Sequence, residues 1–223
     1  ATLAEAARRE VGEGQGVHVE AEDGTVLVSQ AASRAVHPAS VSKIPTTLAL
    51  LRKLGPEHRF ATRFLASGAA ESGIAPGDLV VKGEGDPYFV DENALLVSLA
   101  LREQGLRGFG GGLSAEGPLL FDWSADGACA GLRRVLSGKV PEAAWSEVQK
   151  ARGLSGGPPA LSFGGGGAAP GAGRPTLRVV HRSQPLLPLL KALNGFSNNI
   201  FHPFADRVGG VSVVQEIARA SVP

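Results

Sequence analysis

The chain has 223 residues, 43% of them hydrophobic and 19% charged, and its 22 basic and 21 acidic side chains leave a formal net charge of +1. That length can bury a sizeable core, and the scatter of Lys and Arg forms no patch that would favour a nucleic acid or an anionic membrane surface. No run of 18 apolar residues occurs, so no transmembrane segment is expected, and the single cysteine, Cys129, has no internal disulfide partner.

The first predicted element is a short helix over Thr2 to Val11, rich in Ala, Glu and Arg. Val17 to Ala21 and Thr25 to Val28 then alternate with period two around Glu22-Asp23-Gly24, which predicts a hairpin with Asp-Gly at the tight turn. After a loop, Val41 to Leu54 reads as a helix ended by Gly55-Pro56, with Pro45 in the first turn where it is tolerated. Ile44, Leu48, Leu51 and Leu54 lie on roughly one face, and a helix apolar over most of its face belongs at the centre of a domain. Arg59 to Ala66 and Asp78 to Lys82 read as strands, and Glu92 to Glu103 as a helix. Gly108 to Gly112, Gly153 to Pro159 and Gly164 to Gly173 read as glycine-rich loops. They are not phosphate loops, because no Gly-Lys-Ser/Thr follows. Thr176 to Val180 returns to strand patterning. Gln184 to Leu193, Ile200 to Val208 and Val213 to Ala220 read as helices.

Two short stretches carry candidate chemistry. Ser40-Val41-Ser42-Lys43 sets a serine at the mouth of a helix and a lysine three residues on. Positions i and i+3 lie on one helical face, so the Lys43 amine can approach the Ser40 hydroxyl and take its proton. The unpaired first-turn N–H groups favour negative charge near Ser40. Taken alone, the stretch reads first as an N-cap serine followed by a surface lysine. Ser197-Asn198-Asn199 presents a hydroxyl and an amide on a connector between two helices; alone, it is a turn former. Histidines 18, 37, 58, 181 and 202 show no metal spacing, so neither a metal nor a cofactor is expected. His37 lacks the third group that a Ser-His couple needs. Asp86, in Gly-Asp-Pro, reads as a turn or cap residue, and Cys129 as a small buried apolar one.

The two stretches together resemble the Ser-x-x-Lys and Ser-x-Asn motifs of the serine-active penicillin-binding proteins and β-lactamases. More narrowly, the chain resembles the D-alanyl-D-alanine carboxypeptidase/endopeptidase family, peptidase family S13, the class C low-molecular-mass penicillin-binding proteins. The resemblance rests on His37-Pro38-Ala39-Ser40-Val41-Ser42-Lys43, Leu54-Gly55-Pro56 with Arg59-Phe60, and Gly77-Asp78-Leu79 with Gly83-Glu84-Gly85-Asp86-Pro87. It continues in Ser183-Gln184-Pro185-Leu186, Asn194 and Ser197-Asn198-Asn199. It covers about residues 17 to 220 and is least specific over roughly 122 to 175.

The resemblance implies a mixed α/β (α+β) fold: a β-lactamase/transpeptidase-like domain with a second domain inserted after the nucleophile helix. The expected division is 1–58 and 181–223 for the catalytic domain and 59–180 for the insertion. That division explains the long stretch between Lys43 and Ser197, far more than one connection needs. The implied roles are Ser40 as nucleophile, Lys43 as its base, Ser197 as proton carrier to the leaving amine, and Asn199 as the binder of the peptide amide. The implied partners are peptidoglycan peptides ending in D-Ala-D-Ala and, as covalent inhibitors, β-lactams. The implied location is the periplasm, cell envelope or extracellular space.

The family's third motif, Lys-Thr-Gly or Lys-Ser-Gly, is missing: none of lysines 43, 53, 82, 139, 150 and 191 is followed by Thr-Gly or Ser-Gly. Two expectations follow. Either the chain is a fragment whose catalytic domain is incomplete at the C-terminus, or it is a degenerate, non-catalytic relative that binds the cell wall or acts as a scaffold. Fast β-lactam hydrolysis is not expected, because Lys191-Ala192-Leu193-Asn194 has lysine where a deacylating Glu-x-x-Leu-Asn element needs glutamate.

Overall fold

A computed structural model describes residues 2–35, 37, 39–165, 173–195 and 201–221. The chain forms two compact units, Ala1–Val41 and Ser42–Pro223.

In the first unit, α1 (Leu3–Val11) opens on a capping box. The Thr2 hydroxyl accepts from the Glu5 N–H (3.2 Å) and the Glu5 carboxylate accepts from the Thr2 N–H (2.8 Å), so two first-turn donors are satisfied. β1 (Val17–Glu20) and β2 (Val26–Gln30) pair antiparallel, as the alternation predicts, with a slip in register at Val19/Glu20. Asp23 accepts from the Thr25 N–H (2.9 Å). Gly24 takes φ +83°, a conformation that costs a glycine little. The Gln30 amide donates to the carbonyls of Gly12 (2.8 Å) and Gln15 (3.1 Å), tying the hairpin to the end of α1.

A 3-10 turn covers Ala39–Ser42 and α2 follows over Lys43–Leu54, ending at Gly55. The helix is where the sequence places it, and its apolar face is partly buried: Leu51 and Leu54 pack against a core cluster. Lys43, Thr46, Ala49 and Leu50 point inward, and Ile44 is 69% exposed. The burying partners are α6 (Leu186–Leu193), α7 (Phe201–Arg207) and α8 (Gly210–Arg219). These distant helices, rather than the helix's own periodicity, decide which face turns in.

The other strands are β3 (Ala61–Ala66), β4 (Ile74–Ala75), β5 (Leu79–Gly83), β6 (Gly108–Phe109), β7 (Leu113–Glu116), β8 (Ser162–Phe163) and β9 (Thr176–Arg182). One sheet has the order β7-β5-β3-β9, with β3 antiparallel to both neighbours and β7 parallel to β5. A small parallel sheet has the order β4-β6-β8. Its centre lies in the glycine-rich run expected to be loop. A Cβ on Gly108 would run into Ser162, and one on Gly164 would run into the Gly110 carbonyl. Glycine here permits close strand approach instead of breaking structure. Helices α3 (Asp91–Glu103), α4 (Ala128–Leu136) and α5 (Glu142–Arg152) pack together. No helix among the described residues is long and apolar enough to cross a membrane.

The second unit holds two hydrophobic clusters. One contains Phe64, Leu79, Val81, Leu95, Leu101, Leu132, Leu136 and Trp145, and draws on β3, β5 and α3 to α5. The other contains Leu50, Phe60, Leu186, Leu189, Leu190, Leu193, Phe201 and Phe204, from α2 and α6 to α8. Phe60, just before β3, and Phe64, within it, enter different clusters. Ser183 closes the crossing between β3 and β9: its hydroxyl accepts from the Phe60 N–H (2.9 Å) and its carbonyl accepts from Arg59 (2.8 Å).

Candidate active site

Ser40 lies in the 3-10 turn, exposed, at the end of the first unit. The residue before it, Ala39, has φ +44°, a left-handed conformation that crowds a side chain bearing a Cβ. The Ala39 N–H donates to Nδ1 of His37 (3.1 Å), so that ring nitrogen braces its own loop.

Lys43 opens α2 in the second unit and is 7% exposed. A lysine is rarely this buried unless its amine finds partners. Its Nζ donates to the backbone carbonyl of Asn194 (3.1 Å), a contact between residues 151 positions apart. The same nitrogen lies 5.7 Å from the centroid of the Phe201 ring. The bland reading of Lys43 as a surface lysine is therefore wrong. The fold carries the amine into the second cluster, against the end of α6 and the start of α7. Asn194 stands three positions before Ser197 in the sequence. Ser197 and Asn199 lie outside the described residues. Phe201 was not singled out from the sequence, since nothing near Ser197-Asn198-Asn199 marks an aromatic as a partner for a distant lysine.

Two acidic side chains near the start of the second unit are held by partners of their own. Asp86 is 2% exposed; one carboxylate oxygen accepts from the Tyr88 N–H (2.9 Å), and the other lies 3.2 Å from Nε2 of His181 on β9. The turn role read from Gly-Asp-Pro holds, and a buried pairing with His181 is added to it. His181 also packs on Phe89, with ring centroids 5.0 Å apart. Glu84 accepts from Arg63 (2.6 Å) and from the Ala61 N–H (3.0 Å). Burial opposes ionisation of Glu84, but the Arg63 and Ala61 hydrogen bonds, with the charges of Arg63 and Arg207, outweigh it and hold the carboxyl below its usual value.

Elsewhere in this unit an open cleft of about 740 Å³ runs past Gly117, Pro118, Ala125 and Cys129 to Asp206 and Arg207; neither Lys43 nor Asn194 lines it. Cys129 is half-buried rather than buried as its reading expects; it packs against the first cluster, and burial pushes its thiol pKa up, so it stays protonated at neutral pH. Among the described residues no group of three or more His, Cys, Asp or Glu side chains is placed to hold a metal ion.

The profile of the family described as D-Ala-D-Ala carboxypeptidase 3 (S13) matches residues 1–122, more than half of the chain. The fold is shared with penicillin-binding protein 4 (dacB) of Haemophilus influenzae, at TM-score 0.63 and 16% identity over 99% of this chain and 69% of that one. It is also shared with the Bd3459 predatory endopeptidase of Bdellovibrio bacteriovorus, at TM-score 0.65 and 18% identity over 92% of this chain and 56% of that one. A second structure of that endopeptidase, acylated by penicillin G and in complex with the immunity protein Bd3460, gives TM-score 0.67 and 21% identity over 90% and 54%. The chain thus spans a little over half the length of the Bdellovibrio structures it matches. The mixed α/β, penicillin-binding type of fold expected from the motifs is the fold observed.

Proposed function

The chain belongs to the D-Ala-D-Ala carboxypeptidase 3 (S13) family, and from that membership we propose that the protein is a serine-type D-Ala-D-Ala carboxypeptidase/endopeptidase of peptidoglycan metabolism. Its substrate is a peptidoglycan peptide ending in D-Ala-D-Ala, and β-lactams are its covalent inhibitors; the structural neighbour acylated by penicillin G supports that second statement. The work belongs in the periplasm or elsewhere in the cell envelope, where peptidoglycan is.

In this reading the Ser40 hydroxyl attacks the carbonyl carbon of the D-Ala-D-Ala bond while Lys43 takes its proton. Ser197 passes a proton to the leaving amine of the terminal D-Ala, and water then resolves the acyl-enzyme. Asn199 binds the peptide amide. Residues 1–58 and 181–223 form the catalytic part, and 59–180 the inserted part. The two clusters support most of that division: one draws on residues from Phe64 to Val179 and the other on Ala49 to Leu54 and Leu186 to Ile217, joined by Phe60 and Tyr88 from the part assigned to the insertion.

The observation that carries the proposal is the burial of Lys43 against Asn194, which joins the Ser-x-x-Lys helix to the segment leading into Ser-x-Asn. A labelled penicillin tests it. The parent protein is expected to label covalently and Ser40→Ala to lose the label entirely. A parent that takes no label leaves the non-catalytic wall-binding or scaffold role in its place.

A further inference from the structure

The Lys43 amine is held by two features that belong to no motif. The first is the end of α6, where Asn194 is the C-cap. Carbonyls of a last helical turn lack helical donors and carry the negative end of the helix dipole, so they attract a cationic nitrogen. The second is the ring of Phe201, the first residue of α7, at 5.7 Å from Nζ. That is within the roughly 6 Å over which an aromatic face attracts a cation. The ring is itself fixed. Phe201 is 4% exposed and meets Phe204 edge-on at 5.7 Å, and Phe204 lies 6.0 Å from Phe60. A lysine side chain has four rotatable bonds, and a rigid neighbour that restricts them fixes where its amine sits.

We infer that Phe201 is the positioning residue for the Lys43 amine: its ring, braced by Phe204 and Phe60, keeps Nζ at the end of α6 and so aims it for proton transfer. The use made of the aimed amine rests on the peptidase reading above; the aiming does not. A purely structural Phe201 would need only its volume, and a leucine would replace most of that. A positioning Phe201 needs its π face, which a tyrosine keeps.

The experiment compares Phe201→Leu and Phe201→Tyr with the parent by two measurements. In protein labelled selectively at lysine, the ε-methylene resonance that disappears in Lys43→Arg identifies Lys43. It is expected upfield of the other lysines in the parent and in Phe201→Tyr, and among them in Phe201→Leu. An unmoved resonance in Phe201→Leu overturns the inference. The rate of acylation by a labelled penicillin is expected to fall about tenfold in Phe201→Leu and to stay within about threefold of the parent in Phe201→Tyr. Equal losses in both variants would mean that packing alone is at work, and would overturn it too. If the parent does not acylate, the peptidase reading fails, and the methylene resonance decides the positioning by itself.

Discussion

At the scale of single residues, Lys43 shows what the sequence carried and what it left out. The Ser40-x-x-Lys43 spacing was legible because helical geometry is local, whereas the carbonyl and the ring that receive the amine come from residues 194 and 201. Asp86 is similar: its bond to the Tyr88 N–H follows from its turn, but its pairing with His181 crosses 95 positions. Glu84 lends itself to a test with a definite sign. Its carboxyl is held below the usual 4.5, chiefly by Arg63 against the opposing effect of burial. A depressed folded-state value gives stability that is present above the unfolded pKa and lost as pH falls through the folded one. Glu84→Gln is therefore expected to be less stable than the parent at about pH 7, with the gap closing below about pH 4.5. Urea midpoints measured across that range check this, and a gap independent of pH would remove the carboxylate's charge as its cause.

Helices and strands were read well where their signals are local and poorly where pairing is remote. The hairpin over Val17 to Gln30, the stop at Gly55-Pro56 and the ends of α3 all follow from neighbouring residues. The two-residue strands β4, β6 and β8 have no periodicity to read, and their glycines point the other way until the close approach of Ser162 to Gly108 is known. In α4 the pattern of Ala128, Leu132, Val135 and Leu136 was present, in the stretch where the family resemblance is weakest. For α2, two substitutions separate the positions the fold buries from the one it leaves exposed. Leu50→Ala removes a fully buried side chain and is expected to cost about 3 kcal/mol. Ile44→Ser, at a position 69% exposed, is expected to stay within about 0.5 kcal/mol of the parent. Denaturant unfolding of the pair measures the difference, and equal losses would contradict the burial of Leu50 and the exposure of Ile44.

Across the second unit, the chain supplies one cluster, leaves it to build another, and returns. Phe60 and Phe64 mark the departure, and Ser183 the return. Cavities in the two clusters should therefore be felt in different places. Leu190→Ala is expected to speed amide hydrogen exchange in α2, α6, α7 and α8 while sparing β5 and α3. Exchange that rises equally in all of them would show a single cooperative core. The sequence hinted at this plan only through the long interval between the two motifs; which residues enter which cluster depends on packing that no local pattern encodes.

The return of the chain also sets an order of events during synthesis, which proceeds from the N-terminus at about 5–20 residues per second. Once the ribosome has released residues up to Gln184, every fully buried member of the Phe64 cluster has emerged, yet Leu50, Phe60 and Lys43 still lack α6, α7 and α8. The nascent chain thus holds a finished half beside a sticky, unfinished one. The buried lysine reaches its seat only when Asn194 and Phe201 arrive.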